Sequence, residues 1–497
     1  MNVILLSGQG PSNQFMSRYA GPHRLATELR NNNITTQIIM GLGYYSVDEI
    51  IDLIKSYYDK DTKVIGISTT FFVEYSQRYA IFPSKLYQGN KISSDIPELV
   101  DKIKKQFPLV KIVIGGPAAR SKISNSENID LFIEGYADKI LVEYVQSLKN
   151  NVSVFYSNYY KNKPLLTNQL DKNFEFRTST IKYIDSDIIF NNETLPLEIS
   201  RGCIFNCKFC SYPLRGRSIK DNSYIKSEDN ILNELLDNYD KFGTTNYIFV
   251  DDTFNDNIEK LKILNKTFKK LPFDLSFAAY IRADLLHAIP ESIELLQEMG
   301  IKGAFFGIES LNSESRKASS KGFDEIKLLK LIDKVNHQWQ NVVLTSSFIY
   351  GLPHDSSDSI RKWTDDIVFD SGLFNNHDLI FQPLYLQKDD TTFMSDFDLD
   401  MAKYGYEFTN DEQIWKNDIT SFREMFSLAK EYNLKAGNTK RPFSSFHSVT
   451  LLGYGLSPEQ VCDLDSHNNN DVEFVENLTI ERYKQYYELV KNNLGSR

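Results

Sequence analysis

Through the first 150 residues, short apolar runs alternate with stretches whose apolar positions recur every three or four residues. Val3–Ser7, Thr36–Met40, Val64–Thr69, Lys111–Ile114 and Leu131–Glu134 read as strands, and Pro22–Asn31, Val47–Tyr58, Pro97–Phe107 and Lys139–Leu148 read as helices. Such alternation means βαβ units, so the pattern predicts an α/β domain over 1–150 built on a doubly wound, Rossmann-like parallel sheet. Ligands of these sheets sit at the carboxyl ends of the strands. The loops there are Ser7-Gly8-Gln9-Gly10, Ser68-Thr69-Thr70-Phe71, Gly115-Gly116-Pro117 and Glu134-Gly135-Tyr136. Glycine lets the backbone approach a large ligand closely, and the hydroxyls supply hydrogen bonds.

Residues 151–192 are polar, rich in Tyr and Asn and weakly patterned, as an irregular linker with a short hairpin would be. Alternation resumes over 193–390. A strand at Leu195 is followed by a helix at Asp229–Lys241, then by strands at Tyr247–Val250, Leu275–Ala279, Gly303–Leu311, Thr345–Tyr350 and Leu379–Tyr385. Six βα repeats predict an open, partial (βα)6 barrel of TIM type, whose lateral mouth would admit a bulky substrate. Residues 391–497 lose the alternation. The stripes Ile419, Phe422, Phe426, Ala429 within Asn417–Tyr432 and Ile480, Tyr483, Tyr487, Val490 within Thr479–Leu494 predict a mostly helical C-terminal cap.

The chemistry concentrates in one loop of this pattern. Three of the four cysteines, Cys203, Cys207 and Cys210, fall within eight positions, directly after an apolar segment and beside Gly202. Thiolates bind iron strongly, and one short loop can bend three of them onto three corners of an iron–sulfur cube. A ferredoxin-type cluster closes the fourth corner with another cysteine, and a structural zinc site wants a fourth Cys or His at short spacing. The next histidine is His287, and Cys462 lies far down the chain. A three-thiolate metal-binding site with one open iron is the economical reading, and an open coordination position means chemistry rather than scaffolding.

The Cys-x3-Cys-x2-Cys spacing, with Phe209 just before the third cysteine, resembles the cluster loop of the radical S-adenosylmethionine (radical SAM) superfamily. The resemblance implies a [4Fe-4S] cluster whose open iron is chelated by the amino and carboxylate groups of SAM. One electron then cleaves SAM to methionine and a 5′-deoxyadenosyl radical. The likeness continues along the core. Asp251 and Asp252 stand where the superfamily has Gly-Gly-Glu, whose residues hold the SAM amino group; read alone, they are also ordinary solvated turn residues. Arg282 at a strand end suits a carboxylate of SAM or of substrate. Gly303-Ala-Phe-Phe-Gly-Ile-Glu309-Ser310 is similar to the Gly-Ile-Glu-Ser strand, whose Glu and Ser reach toward the SAM ribose or carboxylate. Thr345–Pro353, with Gly351, resembles the fifth-strand signature whose backbone approaches adenine. The cations of Arg215-Gly-Arg217-Ser-Ile-Lys220 would hold an anion or simply be solvated, and His447 reads as a hydrogen-bonded structural histidine.

In the first domain, Gly115-Gly116-Pro117 after the fourth strand and Glu134-Gly135 after the fifth resemble the cobalamin-binding domain that precedes the core in one large radical SAM subfamily, so that the family likeness spans roughly residues 1–390. Ser7, Gly8, Ser68, Thr69, Gly115 and Gly116 are then the expected contacts. The cobalt-ligating Asp-x-His-x-x-Gly motif is absent, and Gly21 precedes His23 where the motif would need Asp. The resemblance therefore implies cobalamin held through loops alone, or a sheet kept without the cofactor. The aromatic segment Phe71–Tyr87 would cover a corrin or fill its space.

At 497 residues, with 41% apolar and 13% aromatic content, the chain is long enough for several globular cores. A formal charge of −10 argues against broad nucleic-acid binding. Four cysteines with three committed leave no disulfide pair, which suits a reducing compartment, and Cys462 reads as a buried apolar residue. Val3–Leu6 is too short for a secretory core and no apolar run reaches membrane-spanning length, so a cytoplasmic location without membrane contact is expected. The leading reading is a cobalamin-dependent radical SAM methyltransferase acting on an unactivated carbon, with an electron donor such as flavodoxin or ferredoxin as partner. The alternatives are a cobalamin-free epimerase, oxidoreductase or rearrangement enzyme, and a non-catalytic iron–sulfur or zinc protein. Nothing in the sequence names the substrate.

Overall fold

Strands covered by helices on both faces must be apolar on both, and the strands of the first domain are. Val3, Ile4, Leu6, Ile65, Ile67, Ile112, Ile114, Leu131 and Ile133 are all buried. The computed structural model describes every residue except 9–16, 70–91, 117–118, 120–125, 155, 157, 169–173, 213–216, 221, 322–323, 340, 388–392, 410–413 and 493–497. The described residues divide into two compact units, one made of 1–191 together with 473–492, the other of 192–472.

In the first unit, β1 (Val3–Ser7), β2 (Thr36–Ile39), β3 (Val64–Ser68), β4 (Lys111–Gly115), β5 (Leu131–Gly135), β6 (Asn158–Tyr160) and β7 (Lys163–Asn168) form one sheet in the order β2-β1-β3-β4-β5-β7-β6. All neighbours are parallel except the β6–β7 hairpin, so the hairpin expected in the linker extends this sheet. Helices Ala20–Asn31, Val47–Tyr57, Ile92–Gln106 and Ile140–Lys149 lie where the periodicity puts them. The second begins at a reciprocal cap: Ser46 Oγ accepts the Glu49 N–H at 3.3 Å, and the Glu49 carboxylate accepts the Ser46 N–H at 2.7 Å. Strand order reverses between β1 and β3, which marks the switch-point crevice of a doubly wound sheet. The loop expectations at Gln9-Gly10, Phe71–Tyr87, Pro117 and Arg215 lie outside the described residues.

The stretch read as one cap, 391–497, is divided between the units, because the helix Asn469–Asn492 from Glu473 onward belongs to the first. Tyr483, Tyr486 and Val490 enter its core. Tyr44 and Tyr483 stack at 4.1 Å, Tyr45 donates to the Tyr483 carbonyl at 2.8 Å, and the Tyr486 hydroxyl lies 3.2 Å from the Ile38 carbonyl. Gly41, at φ +75°, makes room: a Cβ there would lie 2.3 Å from the Tyr483 ring. Ile480, read as part of the buried stripe, is instead exposed, since the stripe that packs is the one carrying the tyrosines.

In the second unit, β8 (Leu195–Leu197), β9 (Asn246–Phe249), β10 (Ser276–Ile281), β11 (Ile301–Glu309), β12 (Val343–Tyr350) and β13 (His377–Pro383) pair in consecutive order, all parallel, as an open six-stranded barrel sheet. Phe249, Phe277, Phe306 and Phe348 are buried beneath the crossover helices. The face carrying Tyr280, Gly303, Phe305 and Thr345 is met by a helix not anticipated from periodicity, Ser445–Gly453. Its Phe446 ring lies 4.9 Å from Tyr280 and 5.8 Å from Phe305, and the Ser445 N–H donates to Thr345 Oγ1 at 2.9 Å. His447 lies on this helix, buried, with Nδ1 2.9 Å from Ser444 Oγ, a structural position. The helix expected from Asn417 starts at Phe422, because Asn417 Oδ1 accepts the N–H groups of Ile419 and Thr420 in a turn and Ser421 caps the helix; Ile419 is consequently exposed. Cys462 is exposed too, against expectation, since Val461 is the buried residue of its short helix Pro458–Asp463. Among the described residues no helix is long and apolar enough to cross a membrane.

Candidate active site

The cysteine loop leaves β8 and is tied down from the neighbouring strand end. Past β9, Asp251 Oδ1 accepts the N–H of Ile199 at 2.8 Å and that of Ser200, Asp252 Oδ2 accepts the Gly202 N–H at 3.1 Å, and Thr253 Oγ1 lies 3.3 Å from Cys203 Sγ. Three consecutive residues of one loop therefore hold most of the segment Ile199–Cys203. Gly202, at φ +82°, supplies the left-handed turn into Cys203. Further along, the Cys203 N–H bonds the Tyr212 carbonyl at 2.9 Å, Cys210 N–H that of Cys207 at 3.0 Å, and Lys208 N–H that of Ser319 at 3.0 Å. The loop is thus fixed by its backbone, leaving the sulfurs to a ligand.

Burial pushes the Cys203 thiol above its usual range and Cys210 up to about 12, with the Asp252 charge adding to both and the neighbouring thiols adding to Cys210. That is the reverse of an activated nucleophilic cysteine, and it describes two thiols crowded into a buried loop beside a carboxylate. Asp251 is pushed up to about 7 by burial, opposed by the Lys260 charge and the two backbone donors. Burial and the Asp251 and Glu198 carboxylates push Asp252 in the same direction; the residue is nevertheless exposed, so water screens part of that effect. Of the pair expected to meet the SAM amino group, Asp251 is fully buried and committed to the loop backbone, while Asp252 opens to solvent beside it.

Arg282, just past β10, is buried with its ring neighbour Phe205 4.0 Å from the guanidinium carbon. Its Nε and Nη2 fork onto Asp284 at 3.0 and 2.6 Å, and Nη1 donates to Cys207 Sγ at 3.3 Å. Glu309 ends β11 at φ +67°, a strained conformation for a non-glycine residue, beside a register shift against β12. Its carboxylate accepts from Lys321 Nζ at 2.9 Å, and Gly307 leaves the space for that pair, since a Cβ there would lie 2.4 Å from Glu309 Oε1. Lys321 also lies 6.0 Å from the Phe209 ring. Ser310 is buried and its hydroxyl accepts the Asn312 N–H at 3.0 Å, a turn contact. Gly351, at φ +91°, has its carbonyl bonded by Tyr406 at 2.7 Å and its Cα face under Trp415, where a Cβ would be 2.5 Å from the indole. The close approach it permits here is to protein. The sequence signaled neither Lys321 nor Thr253; both come from loops and only tertiary contact reveals them.

In the first unit, Ser7, Gly8, Ser68, Thr69, Gly115 and Gly116 fall at the carboxyl ends of β1, β3 and β4. Thr69 bonds the Gly115 carbonyl through both its N–H (2.7 Å) and its hydroxyl (2.8 Å), and Gly116 turns at φ +104°. The Ser7 hydroxyl is buried without a partner among the described residues. His23 is buried 4.8 Å from the Tyr183 ring, and burial together with Arg18 and Arg30 holds it neutral.

Among the described residues no three His, Cys, Asp or Glu side chains converge on a point as a single metal ion requires. An iron–sulfur cube makes a different demand, because each thiolate takes a separate corner. Three thiols crowded on one pinned loop suit that demand.

Residues 197–367 match the family model described as the Radical SAM superfamily. The chain is 22% identical over 360 residues to an uncharacterised methyltransferase of Pyrococcus horikoshii, covering 68% of this chain and 70% of that one. It is 24% identical over 180 residues to the bacteriochlorophyllide d C-12(1)-methyltransferase of Chlorobaculum tepidum, covering 36% of this chain and 38% of that one. Among solved structures, the radical S-adenosylmethionine methyltransferase TsrM from Kitasatospora setae, with tryptophan and a SAM analogue bound, matches with a TM-score of 0.61 at 12% identity, over 91% of this chain and 95% of that one. The cobalamin-dependent S-adenosylmethionine radical enzyme OxsB, with aqua-cobalamin and SAM bound, matches with a TM-score of 0.60 at 14% identity, over 99% of this chain and 80% of that one. These two are likenesses of fold.

Proposed function

We propose that this chain, whose residues 197–367 form a radical SAM domain, is a cobalamin-dependent methyltransferase acting on an unactivated carbon. The observation that carries the reading is the presence, in one chain, of a pinned three-cysteine loop at the first strand of an open parallel barrel and of a separate doubly wound sheet with hydroxyls and glycines at its strand ends. The methyltransferase names of the sequence relatives and the cobalamin in OxsB support the same reading.

Cys203, Cys207 and Cys210 would hold the [4Fe-4S] cluster, with the fourth corner left to SAM. Bound there, the cluster supplies the electron that cleaves the sulfonium, and cobalamin supplies a methyl carrier. The chain's own residues bind and orient. Glu309, aimed by its backbone strain and steadied by Lys321, presents a carboxylate suited to ribose hydroxyls. Asp252, exposed next to the loop it pins, suits an ammonium group. On the first sheet, the buried Ser7 hydroxyl at the switch point, without a partner among the described residues, suits a large polar ligand. Cobalt would go without a histidine from His23, which is enclosed beside Tyr183.

The test is anaerobic reconstitution of the full chain with iron, sulfide and cobalamin, followed by iron and cobalt analysis. Reductive SAM cleavage is measured next, and cell extract is then profiled for products heavier by one methylene. Cobalt uptake with a methylene gain is expected. SAM cleavage without cobalt, paired with a one-mass-unit gain in heavy water, would replace the reading with a cobalamin-free epimerase, and a chain that binds iron but cleaves no SAM would end both.

A further inference from the structure

We propose that Arg282 acts on the cluster rather than on a carboxylate, as a positioning residue that raises the cluster's reduction potential through Cys207. This rests on the reading that Cys207 ligates a [4Fe-4S] cluster. An arginine that clamps a carboxylate uses two parallel N–H groups of its fork. Arg282 has already spent that geometry on Asp284, through Nε at 3.0 Å and Nη2 at 2.6 Å. The remaining Nη1 meets Cys207 Sγ at 3.3 Å, and the guanidinium plane is backed by Phe205 at 4.0 Å. The backbone is locked as well: the Arg282 N–H donates to Asn255 Oδ1 at 2.8 Å, and Asn255 Nδ2 donates back to the Arg282 carbonyl at 3.0 Å. Five contacts, to Asp284, Phe205 and Asn255, therefore fix one cationic donor on one sulfur.

The three sulfurs are not treated alike. Cys203 has the neutral Thr253 hydroxyl 3.3 Å away, whereas Cys207 has a permanent positive charge. Hydrogen bonds and net charge next to the cluster sulfurs set its potential. Arg282 and Cys207 are both buried, so water screens their interaction little. Asp284 offsets part of the charge, but it binds the opposite edge of the guanidinium and is the more distant group from sulfur. The reduced cluster, richer by one electron from an external low-potential donor, is stabilised more than the oxidised one. No proton moves at Arg282.

Potentiometric titration of the anaerobically reconstituted full chain, followed by electron paramagnetic resonance of the reduced cluster without SAM, tests this. In Arg282→Gln the midpoint should fall by about 59 mV or more, a tenfold loss in the reduction equilibrium. Arg282→Lys should keep most of the potential, and Asp284→Asn, which leaves the cation uncompensated, should raise it. The SAM concentration that saturates the spectral change on SAM binding should stay within threefold in all three. An unchanged midpoint in Arg282→Gln with SAM binding weakened tenfold would overturn the proposal and return Arg282 to the SAM carboxylate. Should Arg282→Gln take up no cluster, Asp284→Asn decides alone, and a midpoint that stays or falls refutes it. A wild-type chain that takes up no cluster overturns the functional reading along with this one; an intact wild-type cluster with unshifted variants overturns this one only.

Discussion

Replacing Asp251 by Ala separates two opposing costs at the base of the cysteine loop. The substitution strands the buried N–H groups of Ile199 and Ser200, at about 1–3 kcal/mol each. It also removes a fully buried carboxyl whose pKa is pushed up to about 7 from an ordinary value near 3.8. Between those two values the unfolded chain ionises at this position and the folded chain does not, so the contribution of Asp251 to stability falls by about 1.4 kcal/mol per pH unit as pH rises and levels off above pH 7. The relief from deleting the carboxyl therefore reaches about 4 kcal/mol at neutral pH, close to the cost of the two orphaned donors. Net stability should change by no more than about 2 kcal/mol at pH 8. The variant's deficit should be larger at pH 6 by about 1.4 kcal/mol. Urea unfolding of the reduced, metal-free chain at pH 6 and pH 8 reads this, in an Asp252→Asn background so that the neighbouring carboxylate does not titrate. Loop order should be lost at either pH, seen as weaker iron uptake. A deficit equal at both pH values, or full iron uptake, would show that Asp251 is neither the buried carboxyl nor the pin described.

Cys203→Ala, Cys207→Ala and Cys210→Ala should each abolish cluster absorbance and reductive SAM cleavage together; one variant that still cleaves SAM removes that residue from the ligand set. Gly41→Ala forces a Cβ against the Tyr483 ring at a positive φ, so the C-terminal helix should release, costing about 1–3 kcal/mol and making 473–492 sensitive to limited proteolysis. His377 is pushed down to about 3 by burial and by Arg441, while its ring bonds Ser346 and Asn336. Below pH 6.5 the unfolded chain gains a proton there that the folded chain refuses, so the His377 contribution to unfolding free energy should drop by about 1.4 kcal/mol per unit, opposite in sign to that of Asp251, and the difference between wild type and His377→Gln, measured from pH 6.5 to pH 5, isolates it.

Eleven strands, β1–β5 and β8–β13, and helices such as Glu228–Phe242 could be placed from the chain, because each carries either a two-sided apolar run or one apolar stripe with its cap: Ser227 opens that helix and Gly243 ends it at φ +64°. The helix Ser445–Gly453 could not. It is buried on nearly every side, so it has no stripe, and its hydroxyls are satisfied inward, Ser448 by the Ser445 carbonyl at 2.7 Å and Thr450 by that of Phe446 at 3.0 Å. At the site, the cysteine spacing was self-evident, whereas the partners of Asp251, Arg282 and Glu309 were not. A carboxylate at a strand end can turn to ligand, solvent or backbone, and the choice depends on residues about 50 positions away, as with Asp251 and Ile199.

Because residues 473–492 complete the core that begins at Val3, the barrel is an insertion within the first unit's chain. On a ribosome that unit waits with the seat around Gly41 and Tyr44 uncovered while roughly 280 residues are made, about 15–55 s at 5–20 residues per second. The middle of the protein thus has time to mature first, and a nascent chain halted before its final helix would display an unfinished aromatic surface of the kind that holding chaperones capture.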